Sequence, residues 1–158
     1  MFATFKQHDE ALEHHDKALD ILISIFGKRH PDVASLYNNI GLVYRNKDEG
    51  EEAMKWNKEA LEIVRSIYGK SHPRIGIAYS NIAATYERTG KDVSALEHHL
   101  KALGILKDFY DKSSPEMVAV YDSVILGYKN LRRFDMAAEY ESILKENQIE
   151  KDLEDNKV

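Results

Sequence analysis

Three prolines, Pro31, Pro73 and Pro115, are the only ones in 158 residues, and they stand 42 residues apart. The same interval separates Ala11, Ala53, Ala95 and Ala137, and also the aromatics Phe2, Tyr44, Tyr86 and Tyr128. Tyr37, Tyr79 and Tyr121 follow it as well. Residues 27–68 and 69–110 share 13 identities in 42 positions, and ALEHHDKALDIL (11–22) matches ALEHHLKALGIL (95–106) at 10 of 12. A chain with this period stacks one supersecondary unit on the next, and each unit buries a face that its neighbour completes.

Each unit has the pattern of two helices. In 31–46, Val33, Leu36, Tyr37, Ile40, Val43 and Tyr44 recur at the spacing of one helical face. Pro31 suits a first helical position, and Asp32 favours the positive end of the helix dipole. In 51–68 the stripe is Ala53, Trp56, Ala60, Leu61, Val64, Ile67 and Tyr68, and Gly69 follows as a stop, as Gly27 does one unit earlier. Helices are expected at 8–26, 31–46, 51–68, 73–89, 92–110, 115–131 and 134–148, the first of each pair termed A and the second B. Residues 1–7 are expected to be the last turn of an A helix, with a simple cap as the alternative. The domain layout is a single domain over 1–148, made of a partial repeat (1–26) and repeats 27–68, 69–110 and 111–148, followed by a charged tail at 149–158.

Small residues mark close helix approaches: Gly41 and Ala83 in the A helices, and Ala53, Ala95, Ala60 and Ala102 in the B helices. The third unit has Ile125 where the others have Gly41 and Ala83, so a changed helix angle or an array end is expected there, with Gly127 relieving the crowding.

Composition removes several functional classes. Cysteine is absent, which excludes disulfides and thiolate chemistry. The net charge of −5 disfavours phosphate-backbone binding, so nucleic acid is not an expected partner. No apolar run approaches the ~18 residues of a membrane span, so no membrane association and a cytoplasmic location are expected. The adjacent pairs His14-His15 and His98-His99 diverge around a helix rather than converging on a metal, and His30 and His72 sit before prolines where they fix a bend. No phosphate-binding loop or nucleophile motif is present, so neither catalysis nor a cofactor is expected.

The pattern Tyr37-x-x-Ile40-Gly41-x-x-Tyr44 followed by Ala53 and Ala60, and its copy Tyr79-x-x-Ile82-Ala83-x-x-Tyr86 followed by Ala95 and Ala102, resembles the tetratricopeptide repeat. The 42-residue period and the segments FGKRHPDVASLYNNIGLVY and YGKSHPRIGIAYSNIAATY resemble its kinesin-light-chain subtype. The resemblance implies an all-α, right-handed solenoid of stacked antiparallel helix pairs, with the A helices lining a concave groove that holds an extended peptide of another protein. The implied groove residues are Ser35, Asn38, Asn39, Leu42, Arg45 and Asn46 in the first A helix, and Ile77, Ser80, Asn81, Ala84 and Arg88 in the second. In the third they are Ala119, Asp122, Ser123, Leu126, Lys129 and Asn130. The family uses Asn at positions 39 and 81 to grip a peptide backbone; an amide both donates and accepts. Arg45, Arg88 and Lys129 favour an acidic peptide. The basic groups of the family's clamp for chaperone tails are missing, since Asn38, Leu42, Asp122 and Leu126 occupy their places. The alternative role is an assembly module acting by weak self-association, near Phe2 and Phe5, or by contact with other domains.

Overall fold

The computed structural model describes residues 2–156; the side chains of residues 2–6, 154 and 155, including Phe2 and Phe5, lie outside the described residues. Within these bounds the chain is helical throughout: α1 (Phe2–Phe26), α2 (Pro31–Asn46), α3 (Gly50–Tyr68), α4 (Pro73–Arg88), α5 (Asp92–Leu106), α6 (Pro115–Asn130) and α7 (Phe134–Asp155). Helices α2, α4 and α6 are the A helices, and α1, α3, α5 and α7 the B helices. Each helix packs on the next in sequence, and the short connections make neighbours antiparallel. In addition α2 touches α4, while no two successive B helices make a comparable contact among the described residues. The first two A helices therefore approach each other more closely than any two successive B helices do among the described residues.

The connector explains why each A helix begins where it does. The ring of His30 stacks on Phe26 (centroids 4.4 Å apart) and that of His72 on Tyr68 (3.9 Å). Each imidazole then accepts a hydrogen bond through Nδ1 from the backbone N–H two residues on, Asp32 and Arg74, at 3.2 Å. Histidine thus caps the helix, and the proline that follows needs no N–H partner. Gly27 and Gly69 take φ values of 75° and 78°, which a glycine adopts without steric cost.

A second recurrent turn joins A to B. Asp48, Gly90 and Arg132 share the left-handed conformation, at φ 62°, 70° and 56°. The following N–H in each case donates to the carbonyl of Tyr44, Tyr86 or Tyr128, at 2.8–2.9 Å. This is the Schellman closure of a helix C-terminus.

Aromatic packing repeats as well. Trp56 meets Tyr37 edge-on at 5.0 Å, as its spacing predicts for a packing residue. His98 lies between Tyr79 and Tyr86 (5.9 and 5.2 Å), and Tyr140 between Tyr121 and Tyr128 (6.3 and 5.5 Å).

Three expectations are corrected. Residues 2–7 belong to α1 without a break, so they are not the last turn of a separate A helix. Helix α5 ends at Leu106 rather than 110: the chain leaves through tight turns at 107–109, where the N–H groups of Phe109 and Tyr110 both donate to the Leu106 carbonyl at 3.0 Å. Helix α7 continues past 148 to Asp155, tied back by Lys112–Glu150 and by Asn147 Nδ2 donating to the Lys112 carbonyl at 3.5 Å. A β-carbon at Gly127 would press on Leu96, so this glycine lets α6 approach α5.

Candidate functional site

Helical geometry sorts the candidate groove residues into two columns. Residues four and seven apart stand over one another. Ser35, Asn39, Leu42 and Asn46 therefore form an exposed stripe on α2. The 42-residue offset continues it as Ile77, Asn81, Ala84 and Arg88 on α4, and as Ala119, Ser123, Leu126 and Asn130 on α6. Three large apolar side chains in this array face solvent: Leu42 is 42% exposed, Ile77 45% and Leu126 52%. Asn39 is exposed and Asn81 half-buried. Ser35 donates to the Pro31 carbonyl (3.1 Å) and accepts from Arg74 of α4 (3.0 Å), which ties the stripe across two helices. Ser123 bonds back to the Ala119 carbonyl at 2.9 Å.

The second column is Asn38 and Arg45 on α2, Ser80 on α4, and Asp122 and Lys129 on α6. Its Arg45 lies near Glu87 and Arg88 of α4. Asn38 is half-buried, and its Oδ1 is buried without a hydrogen-bond partner among the described residues. Asp122 and Lys129 open instead onto a cleft of about 510 Å³ between α6 and α7, beside Ile125, Glu141 and Leu144.

The cations do not form a free row. Arg88 Nε donates to Asp48 at 2.6 Å, and Lys129 pairs with Glu141 at 2.6 Å. Arg45 is half-buried; burial lowers its pKa from the usual guanidinium range, Glu87 opposes this and Arg88 adds to it. The place of Arg45 and Lys129 in the second unit belongs to Glu87, not Arg88. Glu87 faces His99 Nε2 at 3.1 Å. The column thus alternates in sign, and the preference for an acidic peptide along it loses two of its three supports.

Sequence reasoning missed the polar centre of this region. Asn57 of α3 is buried and donates to the Asn81 carbonyl (3.3 Å) and to Thr85 Oγ1 (2.9 Å), both on α4. Thr85 in turn donates to the Asn81 carbonyl at 3.1 Å. Asn57 lies against Gly41, where any β-carbon would collide with its amide. The 42-residue offset aligns Asn57 with His99 and Glu141, so a row of polar residues within an otherwise apolar B-helix face was the available signal.

A family model described as Tetratricopeptide repeat matches residues 2–59 and again 32–108. Among solved structures, BtubC (BKLC) from P. vanneervenii is similar at 21% identity and a TM-score of 0.83, over 93% of this chain. The chain spans 59% of that protein's length. A structure described as a kinesin light chain from Podosopora anserina with nearly identical TPR-like repeats is similar at 17% identity and a TM-score of 0.72, covering 92% of this chain and 69% of that one. The TPR domain of Arabidopsis FLU is similar at 20% identity and a TM-score of 0.61, covering 73% and 95%. At these identities the likeness is one of fold. No curated protein matches by sequence.

Proposed function

The chain belongs to the tetratricopeptide repeat family, and from that premise we propose that it is a protein-interaction scaffold whose A-helix stripe holds an extended peptide of another protein. The observation that carries this is the exposure of Leu42, Ile77 and Leu126 on one stripe, beside Asn39, whose side chain makes no hydrogen bond among the described residues. Aliphatic side chains left in water favour a ligand that covers them, and the amide offers the ligand's backbone a donor and an acceptor. Rigid helices lose little entropy on binding. The preferred peptide carries aliphatic side chains rather than a run of acids, since Arg88 and Lys129 are already paired.

The test is selection from a random peptide display library, followed by binding of the selected peptides to Asn39→Ala/Asn81→Ala and to Leu42→Ser/Leu126→Ser. Each double variant is expected to weaken binding about tenfold or more with an unchanged melting temperature. Unchanged affinity in both overturns the stripe.

A second reading, assembly through self-association, is favoured by one observation. Ile21 of α1 is 58% exposed, whereas Ile63, its equivalent one unit on, is 9% exposed beneath its A helix. A sedimentation coefficient that rises with concentration, and that Ile21→Glu returns to the monomer value, is the expected result; a monomer at all concentrations removes this reading.

A further inference from the structure

Three cations, Arg65, Lys70 and Lys101, stand together away from the A-helix stripe. A cleft of about 410 Å³ opens where the end of α3, the connector and the pair α4–α5 meet. Arg65, Lys70 and Lys101 stand around it, and Ile75, Tyr79 and Ile105 form its apolar floor. No carboxylate lines it. Glu62 lies 3.9 Å from the Arg65 guanidinium, at the limit of an ion pair. The Lys101 ammonium lies 5.8 Å over the Tyr79 ring.

The repeat shows why this junction differs from its copies. Gly104 completes the lining, and the residues 42 or 84 positions away are Asp20, Glu62 and Glu146. Three units out of four carry a carboxylate at this helix position; only the unit with the cationic cleft has none. A β-carbon at Gly104 would meet nothing within 4 Å, so packing does not require the glycine. In a helix a glycine is also less stable than the acid it replaces. At the neighbouring junctions, acids oppose the corresponding cations: Glu59 and Glu62 occupy the places of Lys101 and Gly104 one unit earlier, and Lys112, the counterpart of Lys70, pairs with Glu150 one unit later.

We infer that this cleft is a docking site for an acidic peptide segment of a partner protein, with carboxylates meeting Lys70, Lys101 and Arg65 and an apolar side chain resting on Tyr79 and Ile105. Three like charges over an apolar floor in a chain of net charge −5 form a local field of the opposite sign to the whole, which orients an acidic ligand toward this place. The site is separate from the A-helix stripe and does not rest on that reading.

The probe is a fluorescein-labelled peptide of alternating Glu and Leu, with a copy carrying Gln for every Glu, followed by anisotropy at low and high salt. The acidic peptide is expected to bind, more weakly as salt screens the charges, and the Gln copy to bind at least about tenfold more weakly. Gly104→Glu, which restores the carboxylate of the other units at an exposed position, is expected to weaken binding about tenfold or more while leaving helicity intact. Lys70→Gln/Lys101→Gln is expected to do the same. Equal binding of the Gln copy, no binding of the acidic peptide, or unchanged affinity in Gly104→Glu overturns the inference. Loss of binding in Asn39→Ala/Asn81→Ala but not in Gly104→Glu places the peptide on the stripe and overturns it equally. Peptides selected for the stripe are expected to bind Gly104→Glu unchanged, so the two assignments fail separately.

Discussion

The two inner units and the third are built from one pattern, yet they pack differently. Helices α2–α3 and α4–α5 lie together along their lengths, whereas α6 and α7 meet over a smaller surface and leave an open cleft beside Ile125. The inner pairs have Gly41 and Ala83 at the crossing, against Ala53 and Ala95, so backbones approach closely. The third pair keeps Ala137 but sets Ile125 opposite it. One side chain of four carbons at the crossing is enough to hold α7 away. The lesson is that a repeat is specified at its narrowest contact. Large positions vary among Trp56, His98 and Tyr140 with the fold intact, because each ring still finds tyrosines to pack on.

The largest effect expected from breaking this comparison is Ala83→Ile, which gives the second unit the crossing of the third. Overpacking a fully buried position costs about 3 kcal/mol at the upper end of the usual range. The reciprocal change, Ile125→Ala, is expected to cost about 2 kcal/mol, the low end for this truncation, because α7 can close over the space. Urea unfolding of the two variants measures both. If Ile125→Ala is the costlier of the two, Ile125 is a well-packed core residue and the crossing does not explain the splayed pair.

Much of this contrast was legible in the sequence. Periodicity is a local property, so the helices, the small residues at the crossings and the oddity of Ile125 follow from spacing alone. The early end of α5 was not legible: Tyr110 keeps the place of Tyr68, yet the chain turns off the helix after Leu106. The capping role of His30 and His72 was legible only as a bend, since the stacked aromatic at Phe26 and Tyr68 had to be seen in space. The spacing picked out exposed positions such as Ser35, Asn39, Leu42 and Leu126, but not the state of the charges beside them. Whether Arg88 is free or held by Asp48, and Lys129 free or held by Glu141, depends on side chains from neighbouring elements, and no pattern within one helix reports it. Asn57 was hidden for the same reason. Its neighbours on α3 are apolar, and its partners Asn81 and Thr85 lie a helix away.

The smallest expected effect sharpens the comparison at the A-to-B turn. Gly90, Asp48 and Arg132 hold the same left-handed backbone, but only glycine does so without strain. For an ordinary side chain this conformation costs about 1–2 kcal/mol, against which glycine gives back about 0.4–1 kcal/mol through the freedom of its unfolded chain. Arg132→Gly is therefore expected to raise stability by about 0.5–1 kcal/mol, read as a rise of about 1–4 °C in melting temperature for a chain of this length. The same change at Asp48 is expected to gain almost nothing. Aspartate tolerates the conformation better than arginine does, and its carboxylate accepts from Arg88 at 2.6 Å, a pair the glycine would remove. A gain at Asp48 equal to that at Arg132 would show that backbone strain alone governs these turns and that the Asp48–Arg88 pair contributes nothing. A loss at Arg132 would show that its side chain holds the third unit together in some way that its backbone conformation does not reveal.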